Sequence, residues 1–288
     1  PNQKIGMLSV PRDTLVDQLK PTAADTMPAD VSKYFVIVAE EDGKFENVTD
    51  RAASMAGRPG RFYLYEKTFY QPSPWYAGWP YVDLLAHGVT DKFMEITMQG
   101  YEKTFGGDLK GNVKGVFTDE PEIVSPGGVR WTPDLFDVFR SEYGYDLSDC
   151  LPQLHEEIGD WRKVRHDYFQ LLNRLFVERW ARPWYDYCAG KGISWTGHYW
   201  EHNWPLVTGV TDNMSMAAWQ QVPGIDMLFN QFNEKSTGAQ FGNIRSVKEV
   251  RSIANQLGRR RVLSETYGGG GWNVTFKDMK RLCDWQMV

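Results

Sequence analysis

Three carboxylates crowd into the stretch "GVFTDEPEI": Asp119, Glu120 and Glu122, directly after a run that reads as a buried strand. Pro121 restricts the residue before it to extended backbone, which would hold Glu120 in a fixed aim. Another acid, Glu265 in "VLSETYGGGGW", also closes an apolar run and opens into a loop with four glycines and Trp272. Those glycines would let backbone approach a bulky ligand closely. Two carboxylates at different strand ends can face each other, the arrangement that glycoside hydrolysis requires: one protonates the leaving oxygen, the other attacks carbon or activates water. Like charge and partial burial raise one of the two pKa values and leave that carboxyl protonated near neutral pH. Glu120 is then the acid and Glu265 the nucleophile or base. Asp119 orients a neighbour or a substrate hydroxyl. Glu122 either meets substrate or caps the next segment, where a helix N-terminus favours negative charge.

A second constellation is "GHYWEHNWP", with His198, Tyr199, Trp200, Glu201, His202 and Trp204. As a pattern, His198-x-x-Glu201-His202 matches the inverted zinc-peptidase motif. That chemistry needs a helix, so that both imidazoles share one face. The surrounding "GKGISWTGHYW" is Gly-rich, β-branched and aromatic, and Pro205 follows closely, so the local sequence opposes a helix. A rim loop whose His198, Trp200 and Glu201 contact a sugar fits better, with a satisfied structural His198 as the bland alternative. "DMLFNQFNE" adds Asn230, Gln231 and Asn233, amides that donate and accept at once and so suit hydroxyls. Asp83 in "YVDLL", Tyr267 and Trp272 complete the expected substrate-contacting set. No cofactor is required, although clustered carboxylates and amides form an oxygen-ligand set of the kind Ca²⁺ takes.

The elements that must position these residues change texture along the chain. "LKPTAADTMPAD" reads as a loop. "YFVIVAEEDGKFENVTD" and "RFYLYEKTFY" then read as a small antiparallel meander, with a turn at Asp42-Gly43. From Tyr81 strands and helices alternate. "YVDLL", "VKGVFTDE", "ISWTGHYW", "GIDMLF" and "RVLSETYG" are the expected strands, each followed by a helical pattern. Thr132 is the expected N-cap of "WTPDLFDVFRSEYG", with Pro133 in its first turn. Trp161, Val164, Tyr168, Leu171, Leu172, Leu175, Phe176 and Trp180 form one helical stripe, which Pro183 should kink or end. Serial βα units imply a parallel sheet, doubly wound or closed as a (β/α)₈ barrel. Polar residues at nearly every strand end favour the barrel, and the dinucleotide glycine spacing is missing. The expected organisation is residues 1–80 as a loop and β-meander insertion, and residues 81–288 as a partial barrel.

Composition narrows the partners. A net charge of −5 with scattered Lys and Arg argues against nucleic acid, and "GRRR" at Gly258 to Arg261 sits where a helix should end. Cys150, Cys188 and Cys283 show no paired spacing, which disfavours a disulfide framework or a Cys-based metal site. No apolar run approaches the roughly 20 residues of a membrane span, and no signal peptide is visible. Both ends look cut. Aromatic content of 14%, including 12 Trp, suits sugar rings but equally suits core filling.

Five motifs in order, "GVFTDEPE", "WTPDLFDVFRSEYGYDL", "TGHYWE", "PGIDML" and "VLSETYGGGGW…KRLCDWQMV", resemble the large bacterial glycoside hydrolases of the α-L-rhamnosidase type (glycoside hydrolase family 106 and relatives). The resemblance implies a (β/α)₈ TIM-barrel glycosidase fold, usually followed by β-sandwich domains. It also implies bacterial export to the periplasm or outside the cell, and an oligo- or polysaccharide substrate of plant type. In such barrels the acid follows strand four and the second carboxylate strand seven, positions that Glu120 and Glu265 match. The resemblance further implies that this chain starts after strand two and stops before strand eight, so that the fragment alone can be inactive. The alternative to a hydrolase is a carbohydrate-binding pseudoenzyme that keeps the cleft without the chemistry.

Overall fold

The computed structural model describes residues 17–125, 127–201, 209–228 and 237–287. In chain order the strands are β1 (Asp17–Thr26), β2 (Tyr34–Glu41), β3 (Lys44–Asn47), β4 (Pro59–Phe69) and β5 (Gly115–Asp119). They continue as β6 (Val129–Trp131), β7 (Ser194–His198), β8 (Gly224–Met227) and β9 (Leu263–Thr266). The helices are α1 (Val89–Thr104), α2 (Leu109–Asn112), α3 (Leu135–Tyr143), α4 (Leu147–Cys150) and α5 (Trp161–Phe176). After them come α6 (Arg182–Lys191), α7 (Asn213–Ala217), α8 (Thr237–Gln256) and α9 (Phe276–Met287).

The chain divides into two compact units, Pro1–Val89 with Val124–Leu172, and Thr90–Ile123 with Asn173–Val288. The expected single boundary after residue 80 is therefore corrected. Val124–Leu172 joins the N-terminal segment because β6 pairs antiparallel with β1, Leu19 opposite Val129 and Asp17 opposite Trp131.

In the first unit the sheet order is β3-β2-β4-β1-β6. The β2–β3 hairpin turns at Asp42 and Gly43, both with positive φ (51° and 76°), the conformation that a tight two-residue turn demands. Residues 17–26, expected as loop, are instead a strand. β4 pairs with β1 along most of its length, so tertiary pairing outweighs a weak local β-propensity. Pro21 is tolerated because β6 covers β1 only as far as Leu19, leaving an edge beyond it. Met27, Ile37, Val48, Phe62 and Leu64 form the core on one face.

Two local expectations in this unit fail. Residues 81–85 form no strand: Asp83 accepts the Leu85 N–H at 2.8 Å and its carbonyl accepts from Ala86 at 3.1 Å, so the chain turns. Thr132 is fully buried after β6 and offers only its backbone oxygen to Leu135, at 3.0 Å. Asp134 occupies the N-cap position of α3 instead, without a side-chain cap. Most of the helical stripe is as expected, with Val164, Tyr168, Leu171, Leu172, Leu175, Phe176 and Trp180 all buried, whereas Trp161 is only half-buried and carries Arg162 and Arg165 over its ring. At Pro183 the helix does not end. A π-helical turn at Val177–Ala181 absorbs the lost backbone donor, and α6 carries Pro183 in its first turn.

In the second unit β5 runs parallel to β7 and β8 parallel to β9. β7 lies beside β8: Val222 N–H donates to Trp195 O at 3.1 Å, and Gln220 Nε2 donates to Gly197 O at 3.1 Å. β8, α8 and β9 make a βαβ unit, the connection that parallel strands need. The helix stops as the sequence suggests. Gly258 is left-handed (φ 64°) and Arg259 N–H closes back on Ala254 O at 2.8 Å, a Schellman ending. Gly197 has φ 142°, and a Cβ there would stand 2.1 Å from Thr118 O, so only glycine lets β7 approach β5. Much of the tryptophan is core: Trp184 and Trp195 stack at 6.1 Å, and Trp180 packs edge-on to Trp184 at 5.8 Å. No helix among the described residues is long and apolar enough to cross a membrane.

Candidate functional site

Strand register builds the site. Opposing residues at the C-terminal ends of β5 and β7 are Asp119 and His198, and in β8 and β9 they are Asp226 and Glu265. Because β7 and β8 are neighbours, four strand ends deliver their polar side chains to one place. Glu120 follows at the next position along the first of these strands.

His198 is the hub, only 1% exposed. Its Nε2 lies 3.0 Å from Glu265 Oε2 and 3.3 Å from Asp119 Oδ1, and its Nδ1 lies 3.3 Å from Tyr199 O. Both ring nitrogens therefore face acceptors, the surroundings of a doubly protonated imidazole. Burial opposes that charge, but Glu201, the bond to Glu265 and the Tyr199 carbonyl outweigh it and raise the His198 pKa above its ordinary value. Phe117 covers the ring edge-on at 5.5 Å.

Beneath His198, Glu201 is buried and spends its carboxylate on backbone: it accepts N–H bonds from Tyr199 and Asp226. Burial pushes its pKa to about 7 against the pull of His198 and these donors. Arg245 holds the Glu201 carbonyl. A carboxylate so engaged is no free general base, and it lies after a strand rather than within a long helix, which removes the structural basis for a zinc-peptidase reading. His202 and Trp204 lie outside the described residues, as do Asn230, Gln231 and Asn233.

Glu120 departs from the extended backbone that Pro121 suggested. Its φ is +45°, a left-handed conformation that costs a non-glycine residue roughly 1–2 kcal/mol. Burial raises the Glu120 pKa to about 7; His198 opposes this, while Asp119, Asp226 and Glu122 reinforce it. Asp226 is likewise raised to about 6, first by burial, against the pull of His198, with Glu265 and Asp119 adding to the rise. Asp226 was missed at the level of sequence. Its signal was an acid within the apolar strand "GIDM", every residue of which is buried.

Two sets of atoms converge closely enough to hold a cation: Asp119, His198 and Glu265, and Glu120, His198 and Asp226, each set within 4.8 Å. In either set His198 would first have to release a proton, and its nitrogen is not a donor that Ca²⁺ takes. Only the carboxylates fit the oxygen-ligand expectation.

The other expected contacts separate. Asp83 lies in the first unit, fully buried and ion-paired with Arg130, so it is a structural charge and not a substrate contact. His198 is too buried to present a face to a sugar and instead positions carboxylates. Glu122 is 8% exposed in a segment without helix, so it caps none and offers substrate little surface. Tyr267 donates its hydroxyl to Met279 O at 3.0 Å and packs on the cluster of Ile225, Met227, Val250 and Leu282. Trp200 is half-buried, and Trp272 stands fully exposed in the glycine-rich loop. Glu265 and Asp119 reach solvent, with side chains 47% and 72% exposed.

Solved structures similar to this chain include a rhamnosidase from Novosphingobium sp. PP1Y, with a TM-score of 0.60 and 20% identity, over 86% of this chain and 25% of that one. This likeness concerns the fold, a mixed α/β arrangement with an antiparallel sheet, and the chain spans about a quarter of that protein's length. No curated protein matches. The glycoside hydrolase family 106 profile, described as alpha-L-rhamnosidase, matches residues 70–288, most of the chain and all of the carboxylate cluster. The chain belongs to glycoside hydrolase family 106, the α-L-rhamnosidase family.

Proposed function

We propose that this chain carries the catalytic centre of an O-glycoside hydrolase that releases α-L-rhamnose from a plant-type polysaccharide. Glu120 is the general acid, and Glu265 is the nucleophile or general base. One observation carries the reading: carboxylates from separate strand ends flank a single buried imidazole, one partly buried with a pKa near 7, the other exposed and hydrogen-bonded to that imidazole.

The chemistry follows from the two environments. At neutral pH a substantial fraction of Glu120 keeps its proton and can deliver it to the departing glycosidic oxygen. His198 donates to Glu265 and fixes its aim; Glu265 then either attacks the anomeric carbon or takes a proton from an attacking water. Asp119 shares the same imidazole nitrogen and supports that orientation, while Trp272 offers a flat face for a sugar ring. Within this reading the four parallel strands are a segment of a (β/α)₈ barrel whose C-terminal rim is the active face. The intact parent, with β-sandwich domains, acts outside the cytoplasm, where its polymeric substrate is found.

Glu120→Gln and Glu265→Gln in the intact parent, assayed on an aryl α-L-rhamnoside, test the assignment. Each should lose roughly 10²–10⁴-fold in kcat/KM while remaining folded at the assay temperature. Full activity in both variants would refute the pair, and glycan binding by the wild type without turnover would identify a pseudoenzyme. Proton NMR of the first-formed anomer separates nucleophile from base.

A further inference from the structure

The segment "YQPSPWYAGWPYV", residues 70–82, places five aromatic residues in a stretch without a single Lys, Arg, Asp or Glu. Folding hides four other tryptophans, Trp131, Trp180, Trp184 and Trp195, but leaves Trp75 75% and Trp79 50% exposed. Two large apolar rings left in water on one short loop need a reason, because their burial would be worth a few kcal/mol.

The loop is built to hold them still. Ser73 Oγ accepts the Trp75 N–H at 3.2 Å, and Ser73 and Trp79 pair as a β-bridge. Gly78 N–H donates to Ser73 O at 2.9 Å and Trp79 N–H to Tyr76 O at 3.0 Å. Ala77 accepts a left-handed backbone (φ 55°) to close the turn, and Pro72, Pro74 and Pro80 restrict the chain around it. Behind the indoles, Tyr70, Tyr76 and Tyr81 form a mutual aromatic cluster, the closest pair 4.7 Å apart. The ordering entropy of the platform is thus lost on folding rather than on binding.

We infer that the Trp75–Trp79 loop is a second carbohydrate-binding site, which takes neutral pyranose rings of a glycan chain on its indole faces. A sugar ring presents a C–H face edged by hydroxyls, matching an indole with its apolar face and single N–H donor. The charge pattern selects among ligands. A loop free of cations in a chain of net charge −5 offers nothing to phosphate or an anionic bilayer, whereas an uncharged sugar pays no electrostatic penalty there. This deepens the reading of the protein as a carbohydrate-active enzyme and rests on it. The loop adds hold on a polymer and takes no part in bond cleavage.

Affinity electrophoresis of the full chain in gels cast with xyloglucan or a neutral rhamnan tests the site. Wild type, Glu120→Gln and Glu265→Gln should be retarded alike. Trp75→Ala with Trp79→Ala should weaken retention by about tenfold or more. Trp75→Phe with Trp79→Phe, which keeps flat rings and the fold, should retain part of it. Unchanged retention in the alanine variant overturns the site, as does a wild type that neither gel retards. Flotation with phosphatidylcholine vesicles that depends on the same two residues also overturns it, assigning the loop to a bilayer. A wild type that turns over the aryl rhamnoside but is not retarded removes this inference alone, whereas a retarded wild type without turnover removes the catalytic reading alone.

Discussion

A single imidazole organises the carboxylate cluster. His198 faces acceptors at both nitrogens and is ringed by Asp119, Glu120, Glu201, Asp226 and Glu265, so positive charge is retained in a buried place. Around it the acids separate by environment. Glu120 and Asp226, partly buried, are pushed up to about 7 and about 6, while Glu265 and Asp119 reach solvent. A general acid at Glu120 predicts an alkaline limb in kcat/KM centred near pH 7, where its proton is lost. Asp226 contributes part of that elevation through like charge, so Asp226→Asn lowers the Glu120 pKa and moves the limb toward acid. A pH–rate profile of the two proteins measures the displacement, and coincident limbs would remove Asp226 from the acid's environment.

The β5–β7 ladder converts sequence distance into contact at the level of elements. Asp119 and His198 are far apart in the chain, yet parallel register sets them opposite each other. That register depends on the close approach at Gly197, where a Cβ would stand 2.1 Å from Thr118 O. Gly197→Ala should therefore cost about 1–3 kcal/mol by overpacking, with added backbone strain from φ 142°. It should also separate Asp119 from His198 and lower activity beyond what the stability loss explains. Chemical denaturation, with kcat measured well below the transition, separates the two effects. Wild-type stability in this variant would show that the ladder tolerates a wider spacing.

Across the whole molecule, buried charge has opposite consequences in the two units. In the first, Asp83 and Arg130 are paired inside the fold, with Tyr168 donating to the Arg130 carbonyl at 2.7 Å. Arg130→Met leaves Asp83 without its partner and should cost about 3–5 kcal/mol, and adding Asp83→Leu should restore much of the loss. Thermal melts of the two single variants and the double variant decide it; a double-variant loss equal to the sum of the single losses would show that the pair is not coupled. In the second unit the raised carboxylates weigh on stability instead. Asp226 ordinarily titrates at 3.8 and in the fold at about 6, so its ionisation costs stability progressively as pH rises through that window. Asn carries no such cost. The melting temperature of Asp226→Asn relative to wild type should climb between about pH 4 and pH 6 and then level off.

The sequence by itself determined which residues were available for chemistry and most of the elements that carry them. Apolar runs ending in acids marked β5 and β9, helical spacing marked α1, α5 and α8, and the Asp42-Gly43 pair marked the β2–β3 turn. Those signals are local, set by side-chain period and backbone sterics. Tertiary structure decided what local signals could not encode. It made a strand of residues 17–26 because β4 was there to pair with them, and it turned Asp83 inward to Arg130. It brought Asp226 beside Glu120 through the neighbouring strands β7 and β8, and it bent Glu120 into a left-handed turn despite Pro121. Pairing, burial and electrostatic environment are properties of residues distant in the chain, and only packing brings them together.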